Sequence, residues 1–340
     1  MSDNNKIFSV IIPVYNGERT IARVLASLIS SRDYIHEIII VDDHSEDNTL
    51  DLIDDFNLFF PITVMSSDGY HNPSVARKTG LLVASGEWVT FVDADDCLTP
   101  SSLRYVKEQI DNYDESLVLL HTQTIYYESG NFVAQNVGHA DNSCGGNFYK
   151  CEFLIGYDLY PHDVLRMAED EYFNTKIIRF IEYIAPDFTV EHYDYPVYEV
   201  HHDIEDGKSY AMSNWVEYLI KYHLLCQIYL TQDLMVYDNE ELNQRLKEDY
   251  LNAVLFGYML LQALIVDQTE ELDVDAQKRY FRKAVQFYCL KFGGTKDDFI
   301  NHYNEDAERV QMYHEGAVGS SGVEFENSES YEDFIGGTLI

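Results

Sequence analysis

Three carboxylates follow directly on one short apolar run of the sequence. The run Trp88–Val92 leads into Asp93, Asp95 and Asp96, with Ala94 between the first two. Carboxylates one residue apart after a buried strand can hold one hard divalent cation, because Mg²⁺ and Mn²⁺ prefer oxygen ligands and often complete their shell with substrate phosphate. An Asp-x-Asp is also common in solvated acidic turns, so its position at a strand end is what favours a Mn²⁺ or Mg²⁺ site.

A second acidic pair, Asp42 and Asp43, ends the β-branched run Ile38–Val41. One of these carboxylates can hydrogen-bond a base or a ribose, although a helix cap and turn would use the same residue types. In open parallel sheets, ligands bind beyond the carboxyl ends of the strands. Two acidic groups at such ends therefore indicate a nucleotide and a cation bound at one sheet edge.

A third group of carboxylates, Glu169-Asp170-Glu171, lies where a helix is expected to begin. A carboxylate in such a place can take a proton from an attacking hydroxyl, which is general-base chemistry. The same residues also suit an ordinary helix start, because acidic side chains are stabilising near the positive end of the helix dipole. The residues alone leave both interpretations open.

The elements that must position these groups alternate between strand and helix through the first half of the chain. Apolar runs predict strands, and apolar residues at helical spacing predict helices between them. The predicted strands are Phe8–Ile12, Ile38–Val41, Ile62–Met65 and Trp88–Val92, and the predicted helices include Glu18–Ile29, Ser74–Ala84 and Ser101–Ile110. We expect Ser45 and Thr99-Pro100 to cap the helices that follow them. This alternation predicts an α/β fold with a Rossmann-like, mostly parallel sheet flanked by helices.

The second half of the chain reads as helices. They are predicted at Trp215–Leu230, Glu240–Val266, Val274–Lys291 and Lys296–Tyr313. We therefore expect a catalytic domain over residues 1–205, a helical C-terminal domain over 206–315, and a mobile acidic tail over 316–340. The helices have enough apolar surface to form a homo-oligomer, although bracing the first domain is the favoured role.

The net charge bears on which partners the protein can have. Lys and Arg total 23 against 59 Asp and Glu, a formal charge of −36. Such a surface repels phosphate backbones, which argues against nucleic acid as a partner. The most apolar stretch, Ala253–Val266, is too short to span a bilayer, and no signal peptide is visible. We expect a cytoplasmic protein with no integral membrane segment, and peripheral membrane attachment stays open.

Cysteine spacing and the absence of several sequence motifs limit the enzyme classes to which the chain can belong. The five cysteines are scattered and form no C-x-x-C pair, which favours free thiols. The chain has neither G-x-G-x-x-G nor G-x-S-x-G, and Gly207-Lys208-Ser209 lacks the upstream glycine of a P-loop. Dinucleotide-binding, P-loop and nucleophile-elbow enzymes are thereby disfavoured.

Five sequence blocks carry a resemblance to a known family. They are Ser9-Val10-Ile11-Ile12-Pro13-Val14-Tyr15-Asn16, Val41-Asp42-Asp43-His44-Ser45, Ala76-Arg77-Lys78-Thr79-Gly80, Ala84-Ser85-Gly86-Glu87 and Phe91-Val92-Asp93-Ala94-Asp95-Asp96. Their order and spacing are similar to those of family 2 glycosyltransferases, over about residues 7–110 and sparsely to about 205. The resemblance implies a GT-A fold and inverting transfer.

The resemblance assigns residues on the nucleotide side. Pro13, Tyr15 and Glu18 match positions that line the nucleotide pocket, and Asp43 matches the residue that contacts the base. Arg77 matches the Arg of the family's Ala-Arg-Asn block near the nucleotide, although Lys78 replaces the Asn.

On the sugar and cation side, the resemblance assigns Asp93 and the adjacent Ala94 to the ribose or sugar, and Asp95 to the principal cation ligand. Asp96 is a further ligand. Family members often have a His after a tyrosine-rich strand near the cation, which here implies His202. Its neighbour His201 is the alternative, because the register is ambiguous by one residue.

The base is implied by the block Ala168–Phe173, which is similar to the family's Glu-Asp-x-x-Phe. By that match Asp170 is the base and Glu169 orients or binds the acceptor, with Glu171 as the competing base.

The implied function is the transfer of a hexosyl or N-acetylhexosaminyl group from a nucleotide-diphosphate sugar, with UDP-sugars favoured. The acceptor would be a glycan, a cell-envelope polymer or another hydroxyl compound. Two alternatives stay open: a sugar-phosphate nucleotidyltransferase, and a non-catalytic relative that binds a nucleotide or a glycan.

Overall fold

The structure is a computed structural model, and it describes residues 5–69, 71–128, 130–135, 143–202, 210–266 and 274–305 of the 340-residue chain. The chain divides into two compact units, Met1–Gly207 and Lys208–Ile340. The expected boundary between residues 315 and 316, and the tail beyond it, lie outside the described residues.

The first unit contains a nine-stranded sheet with helices between its strands. Its strands are β1 (Phe8–Val14), β2 (Ile35–Asp42), β3 (Ile62–Ser66), β4 (Trp88–Phe91), β5 (Cys97–Leu98), β6 (Leu117–Glu128), β7 (Asn131–Gln135), β8 (Asn147–Lys150) and β9 (Thr189–His202). Its helices are α1 (Ile21–Leu28), α2 (Thr49–Asp54), α3 (Pro73–Val83), α4 (Ser102–Ile110), α5 (Cys151–Gly156) and α6 (Glu169–Tyr183).

The strands β3, β2, β1 and β4 lie side by side and are all parallel. Every residue of β1 is buried, because helices cover both faces of a parallel sheet and favour continuous apolar strands. Val14 of β1 lies opposite Asp42 of β2, which lies opposite Ser66 of β3. The strands therefore end at a common edge, and the predicted acidic groups follow those ends.

Beyond β4 the sheet is mixed, in the order β8, β6, β9 and β5. β8 is antiparallel to β4 and to β6, whereas β9 runs parallel to β6. The short strand β5 pairs antiparallel with the end of β9, with Cys97 opposite Glu199 and Leu98 opposite Tyr198. This pairing brings the loop after β4 against a strand about a hundred residues later. The expected mostly parallel arrangement thus holds for the first four strands.

Helix α3 lies unusually close to the sheet. A Cβ added to Gly80 would lie 2.5 Å from Cγ2 of Ile11, so glycine permits this approach. The helix begins at Pro73, and the side chain of Asn72 accepts hydrogen bonds from the backbone N–H groups of Ser74 and Val75. Capping by Asn with Pro at the first helical position is a strong helix start. It sets the register that places Arg77 over the sheet.

Both predicted caps differ from the structure. Ser45 caps no helix, since α2 begins at Thr49; its hydroxyl instead accepts the backbone N–H of Asn16 at 2.9 Å. Thr99 donates its hydroxyl to the carbonyl of Pro196 at 2.8 Å, and α4 begins at Ser102. In both cases the side chain that the local sequence pattern assigns to a helix cap instead hydrogen-bonds a residue far away in the sequence.

The second unit is helical where it is described, as predicted. Its helices are α7 (Tyr210–Leu234), α8 (Glu240–Val266), α9 (Val274–Phe292) and α10 (Lys296–Glu305). Tyr250, Phe281 and Tyr288 are buried in its core, where Tyr250 donates its hydroxyl to the carbonyl of Ala284 at 2.9 Å. Over the described residues, no helix has both the length and the hydropathy to cross a bilayer. All five cysteines are free thiols, as the spacing predicts.

Candidate active site

The buried guanidinium of Arg77 lies among three carboxylates. Its side chain is 5% exposed; Nη2 lies 2.8 Å from Asp93, and Nη1 lies 3.2 Å from Glu169 and 3.0 Å from Asp170. Burial alone would lower the pKa of Arg77, but the charges of Asp170 and Asp93 outweigh it and hold that pKa well above its usual value. Arg77 is therefore a fixed cation that joins the loop after β4 to the start of α6.

Glu169 and Asp170 occupy the first turn of α6, as the sequence predicts for an acidic helix start. Asp170 accepts a hydrogen bond from the backbone N–H of Cys144 at 3.1 Å. Burial, followed by the charge of Asp170, raises the pKa of Glu169 to about 7, against the opposing effect of Arg77. Near neutral pH, Glu169 therefore exchanges between a carboxylate and a neutral acid that can donate a hydrogen bond.

Asp93, Asp95 and Asp96 form the turn between β4 and β5. The backbone N–H of Asp93 donates to the hydroxyl of Tyr198 at 3.0 Å, and Asp96 accepts the backbone N–H of His201 at 3.0 Å. Asp95 is exposed. Burial, together with the charges of Asp93 and Asp95, raises the pKa of Asp96 well above its usual range.

This turn fits a hard divalent cation. It carries three carboxylates within residues 93–96. Burial and the charges of Asp93 and Asp95 disfavour ionisation of Asp96, and a cation bound beside these side chains would offset that repulsion. The donors are all oxygen, as Mn²⁺ and Mg²⁺ prefer. Asp96 is already held by a backbone hydrogen bond, whereas Asp95 is open to solvent.

Asp43, which the sequence predicts to contact the base, is buried and accepts the backbone N–H of Asn72 at 2.7 Å. Its other oxygen, Oδ1, is buried and has no hydrogen-bond partner within the part of the chain that the structure describes. The ring of Tyr15 is 45% exposed and meets the ring of His71 edge-on, with centroids 4.1 Å apart. A buried acceptor that has no partner among the described residues and an exposed tyrosine thus occur at the ends of β2 and β1.

Three predicted residues have structural roles in this region. Pro13 lies in the buried ladder of β1, opposite Val41. Glu18 accepts hydrogen bonds from the backbone and the side chain of Asn48, at 3.2 and 3.1 Å, which ties the loop after β1 to the start of α2. Ala94 lies against Gly17, where an added Cβ would be 3.8 Å from that of Ala94.

The two candidate histidines, His201 and His202, are the last residues of β9 and differ in what the structure shows of them. The side chain of His202 lies outside the described residues, so its predicted role stays a prediction. The ring of His201 lies 3.2 Å from the carboxylate of Glu199 and stacks on Tyr127. The backbone N–H of His201 contacts the acidic turn, through Asp96.

Sequence reasoning missed two residues that support the site. Tyr198 is buried, and its hydroxyl holds the backbone of Asp93. Asn72 holds Asp43 and caps α3, and the Asn72-Pro73 pair is a cap signal that was available in the sequence.

A separate cleft of about 450 Å³ runs along the outer side of α3. It is lined by Asp68, Gly69, Asn72, Val75, Lys78, Thr79, Leu82, Asp163 and Arg166, none of which is a predicted site residue.

The chain is similar to known glycosyltransferases. The model of glycosyl transferase family 2 matches residues 9–160. The poly(ribitol-phosphate) β-N-acetylglucosaminyltransferase TarS of Staphylococcus aureus (strain Mu50 / ATCC 700699) is 28% identical over 183 residues, which are 50% of this chain and 32% of TarS. TarP of S. aureus (strain N315), which is named for the same activity, is 28% identical over 228 residues, covering 63% of this chain and 62% of TarP. The match thus spans about a third of TarS.

Among solved structures, residues 1–349 of S. aureus TarS in complex with UDP-GlcNAc align with a TM-score of 0.62 and 18% identity, covering 96% of this chain and 98% of that one. At this identity the likeness establishes the fold. The predicted GT-A-type α/β fold with a helical C-terminal region is confirmed.

Proposed function

We propose that this chain, which belongs to glycosyl transferase family 2 through the domain matched at residues 9–160, transfers a sugar from a nucleotide-diphosphate donor to a hydroxyl acceptor. The observation that carries the proposal is the meeting of two carboxylate groups at Arg77. In this proposal Asp93 belongs to the binding site for the donor and the cation, and Glu169 and Asp170 belong to the binding site for the acceptor. An inverting transfer requires the donor site and the acceptor site to meet at one point, because the acceptor oxygen attacks the same carbon that the diphosphate leaves.

The donor we propose is a UDP-sugar, with UDP-N-acetylglucosamine as the first candidate. Oδ1 of Asp43 has no hydrogen-bond partner in the described part of the chain and can accept a hydrogen bond from the imide N–H of uracil, and the exposed ring of Tyr15 offers a face for the base. Pro13 and Glu18 would line this pocket. The complex of TarS with UDP-GlcNAc supports the choice of donor.

The cation we propose is Mn²⁺ or Mg²⁺, held by Asp95 with help from Asp96. Asp93 and the backbone at Ala94 would face the ribose or sugar. When bound, such a cation offsets the charge that develops on the departing diphosphate. His202 remains a proposed additional ligand.

Asp170 is the proposed base. It takes the proton of the acceptor hydroxyl as that oxygen bonds to the anomeric carbon, while the bond from that carbon to the diphosphate oxygen breaks. Nη1 of Arg77 lies 3.0 Å from Asp170 and fixes its orientation, and Glu169 in its neutral form can donate a hydrogen bond to the acceptor. The contacts of Arg77 with Asp170 and Glu169 favour Asp170 over Glu171 as the base.

The acceptor is proposed only as a hydroxyl compound, either a glycan or a cell-envelope polymer. TarS and TarP are named for poly(ribitol-phosphate), but a formal charge of −36 on this chain opposes a polyanion at low salt. A cytoplasmic location and self-association through the helices stay predictions.

The test is incubation of the full chain with a panel of UDP- and GDP-sugars, with Mn²⁺ or with a chelator. Release of the nucleoside diphosphate that depends on Mn²⁺ is expected for at least one UDP-sugar, with further release when neutral glycans or polyol-phosphate polymers are added. Release of pyrophosphate from a nucleoside triphosphate and a sugar phosphate would instead indicate a nucleotidyltransferase. Donor binding without any turnover would indicate a non-catalytic relative.

A further inference from the structure

Three side chains with metal-binding atoms meet where β5 pairs with β9. Cys97 lies opposite Glu199 in this pairing, and His201 lies two residues further along β9, on the same face as Glu199. The thiol sulfur, a carboxylate oxygen and a ring nitrogen of these residues all lie within 4.8 Å of one another. The carboxylate of Glu199 and Nε2 of His201 are 3.2 Å apart.

These distances fit a tetrahedral ion. In zinc sites the metal–nitrogen and metal–oxygen bonds are about 2.0–2.2 Å, so that two such ligands on a tetrahedral ion are separated by roughly 3.3 Å. The separation of 3.2 Å between Glu199 and His201 is close to that value. A thiolate and an imidazole select borderline-soft ions such as Zn²⁺, whereas the turn at Asp93, Asp95 and Asp96 offers oxygen alone.

The surroundings of the three ligands also suit a metal site. Cys97 is 4% exposed, and the side chains of His201 and Glu199 are 14% and 20% exposed. The ring of His201 stacks flat on Tyr127, with centroids 4.9 Å apart and 7° between planes, which fixes the direction of its nitrogens. Outer contacts of this kind orient ligands in metal sites.

We propose that Cys97, Glu199 and His201 bind one Zn²⁺ ion at a site separate from the catalytic cation. The thiol proton is released to solvent when the ion binds, and the fourth coordination position is left for water. The ion clamps β5 to β9, directly behind the acidic turn, because the backbone N–H of His201 holds Asp96 at 3.0 Å. This site does not depend on the proposed transfer reaction.

The experiment measures metal binding to the full chain after dialysis against a chelator. Titration with Zn²⁺, followed by calorimetry and by thermal unfolding, is expected to show one tight site per chain and a rise in Tm. Co²⁺ serves as the spectroscopic probe, because a bound thiolate adds a sulfur-to-cobalt charge-transfer band that oxygen ligands do not produce. Cys97→Ser is expected to remove that band and to weaken Zn²⁺ binding at least about tenfold, the lower end of the effect of losing an outer-shell partner.

Two further variants separate this site from others. Cys151→Ser is the matched control, since Cys151 is also buried, at 5% exposure, and lies in the same unit; it is expected to bind both ions like the wild type. Asp95→Asn is expected to keep the charge-transfer band, because Asp95 belongs to the other cation site. If Cys97→Ser does not fold, His201→Gln replaces it and is read by calorimetry, where weaker Zn²⁺ binding is expected and unchanged binding would overturn the proposal, because this variant keeps the thiolate.

Three results would overturn the proposal. They are the absence of stoichiometric Zn²⁺ binding, a charge-transfer band that persists in Cys97→Ser, and loss of the band in Asp95→Asn.

Discussion

Replacing Glu169 by Gln tests the electrostatics of the site through protein stability. The pKa of this carboxyl rises from 4.5 to about 7 in the folded protein, mainly because of burial. A carboxyl whose folded pKa is raised binds its proton more tightly in the folded state than in the unfolded state. Its contribution to stability is therefore fully present below about pH 4.5 and is lost as the pH rises through about 7. A difference of about 2.5 in pKa corresponds to a loss of roughly 3 kcal/mol.

The variant Glu169→Gln has no proton to lose at this position. We therefore expect the free energy of unfolding of the variant, relative to the wild type, to increase by roughly 3 kcal/mol between about pH 4.5 and about pH 8. The side chain of Glu169 is only 14% exposed, so solvent screening reduces this figure little. The direction of this change is the decisive result: the free energy of unfolding of the variant, relative to that of the wild type, increases as the pH rises.

The assay is urea unfolding at several pH values and constant ionic strength. The chain has two tryptophans, Trp88 in β4 and Trp215 in α7, so a Trp215→Phe background lets fluorescence follow the first unit alone. Glu182→Gln is the matched control, because Glu182 lies on the same helix but its side chain is 47% exposed. Parallel curves for Glu169→Gln and the wild type between about pH 5 and about pH 8 would refute the raised pKa.

Three other substitutions test the remaining parts of the site. Arg77→Met leaves buried carboxylates unpaired and is expected to lower the free energy of unfolding in urea by about 3–5 kcal/mol. The control is Lys78→Met, next along the helix, where Lys78 pairs with a half-exposed Asp163 and the expected loss is under about 1 kcal/mol. Equal losses for the two variants would contradict the central role of Arg77. Asp170→Asn is expected to leave donor binding near normal and to lower kcat by about 100-fold or more, and transfer that survives would move the base to another group such as Glu171. Asp95→Asn is expected to abolish the Mn²⁺-dependent rise in Tm caused by UDP-GlcNAc, and an unchanged rise would remove Asp95 as the cation ligand.

Local pattern predicted the strands β1 to β4 and the helix α3 because apolar periodicity is a local property of the chain. The acidic groups at Asp42–Asp43 and Asp93–Asp96 were predicted to share an edge, and they lie at the ends of β2 and β4, the two strands that flank β1. That success has a simple cause: parallel strands joined by helices end on the same side of a sheet.

The same local pattern failed for the caps at Ser45 and Thr99. Each side chain had a local role available, and each instead bonds a group far along the chain, Asn16 and Pro196. The strands β6 to β8 were also missed.

The sequence by itself determined which residue types stand at the ends of the strands, and hence the fold class and the class of chemistry. Only the tertiary structure decided which charges meet. Arg77 was predicted beside a nucleotide, and the structure places it between Asp93 and the pair Glu169 and Asp170. The pairing of β5 with β9 likewise brought Cys97 to His201. Electrostatic energy depends on burial and on distances between residues far apart in the chain, and no local pattern contains either quantity.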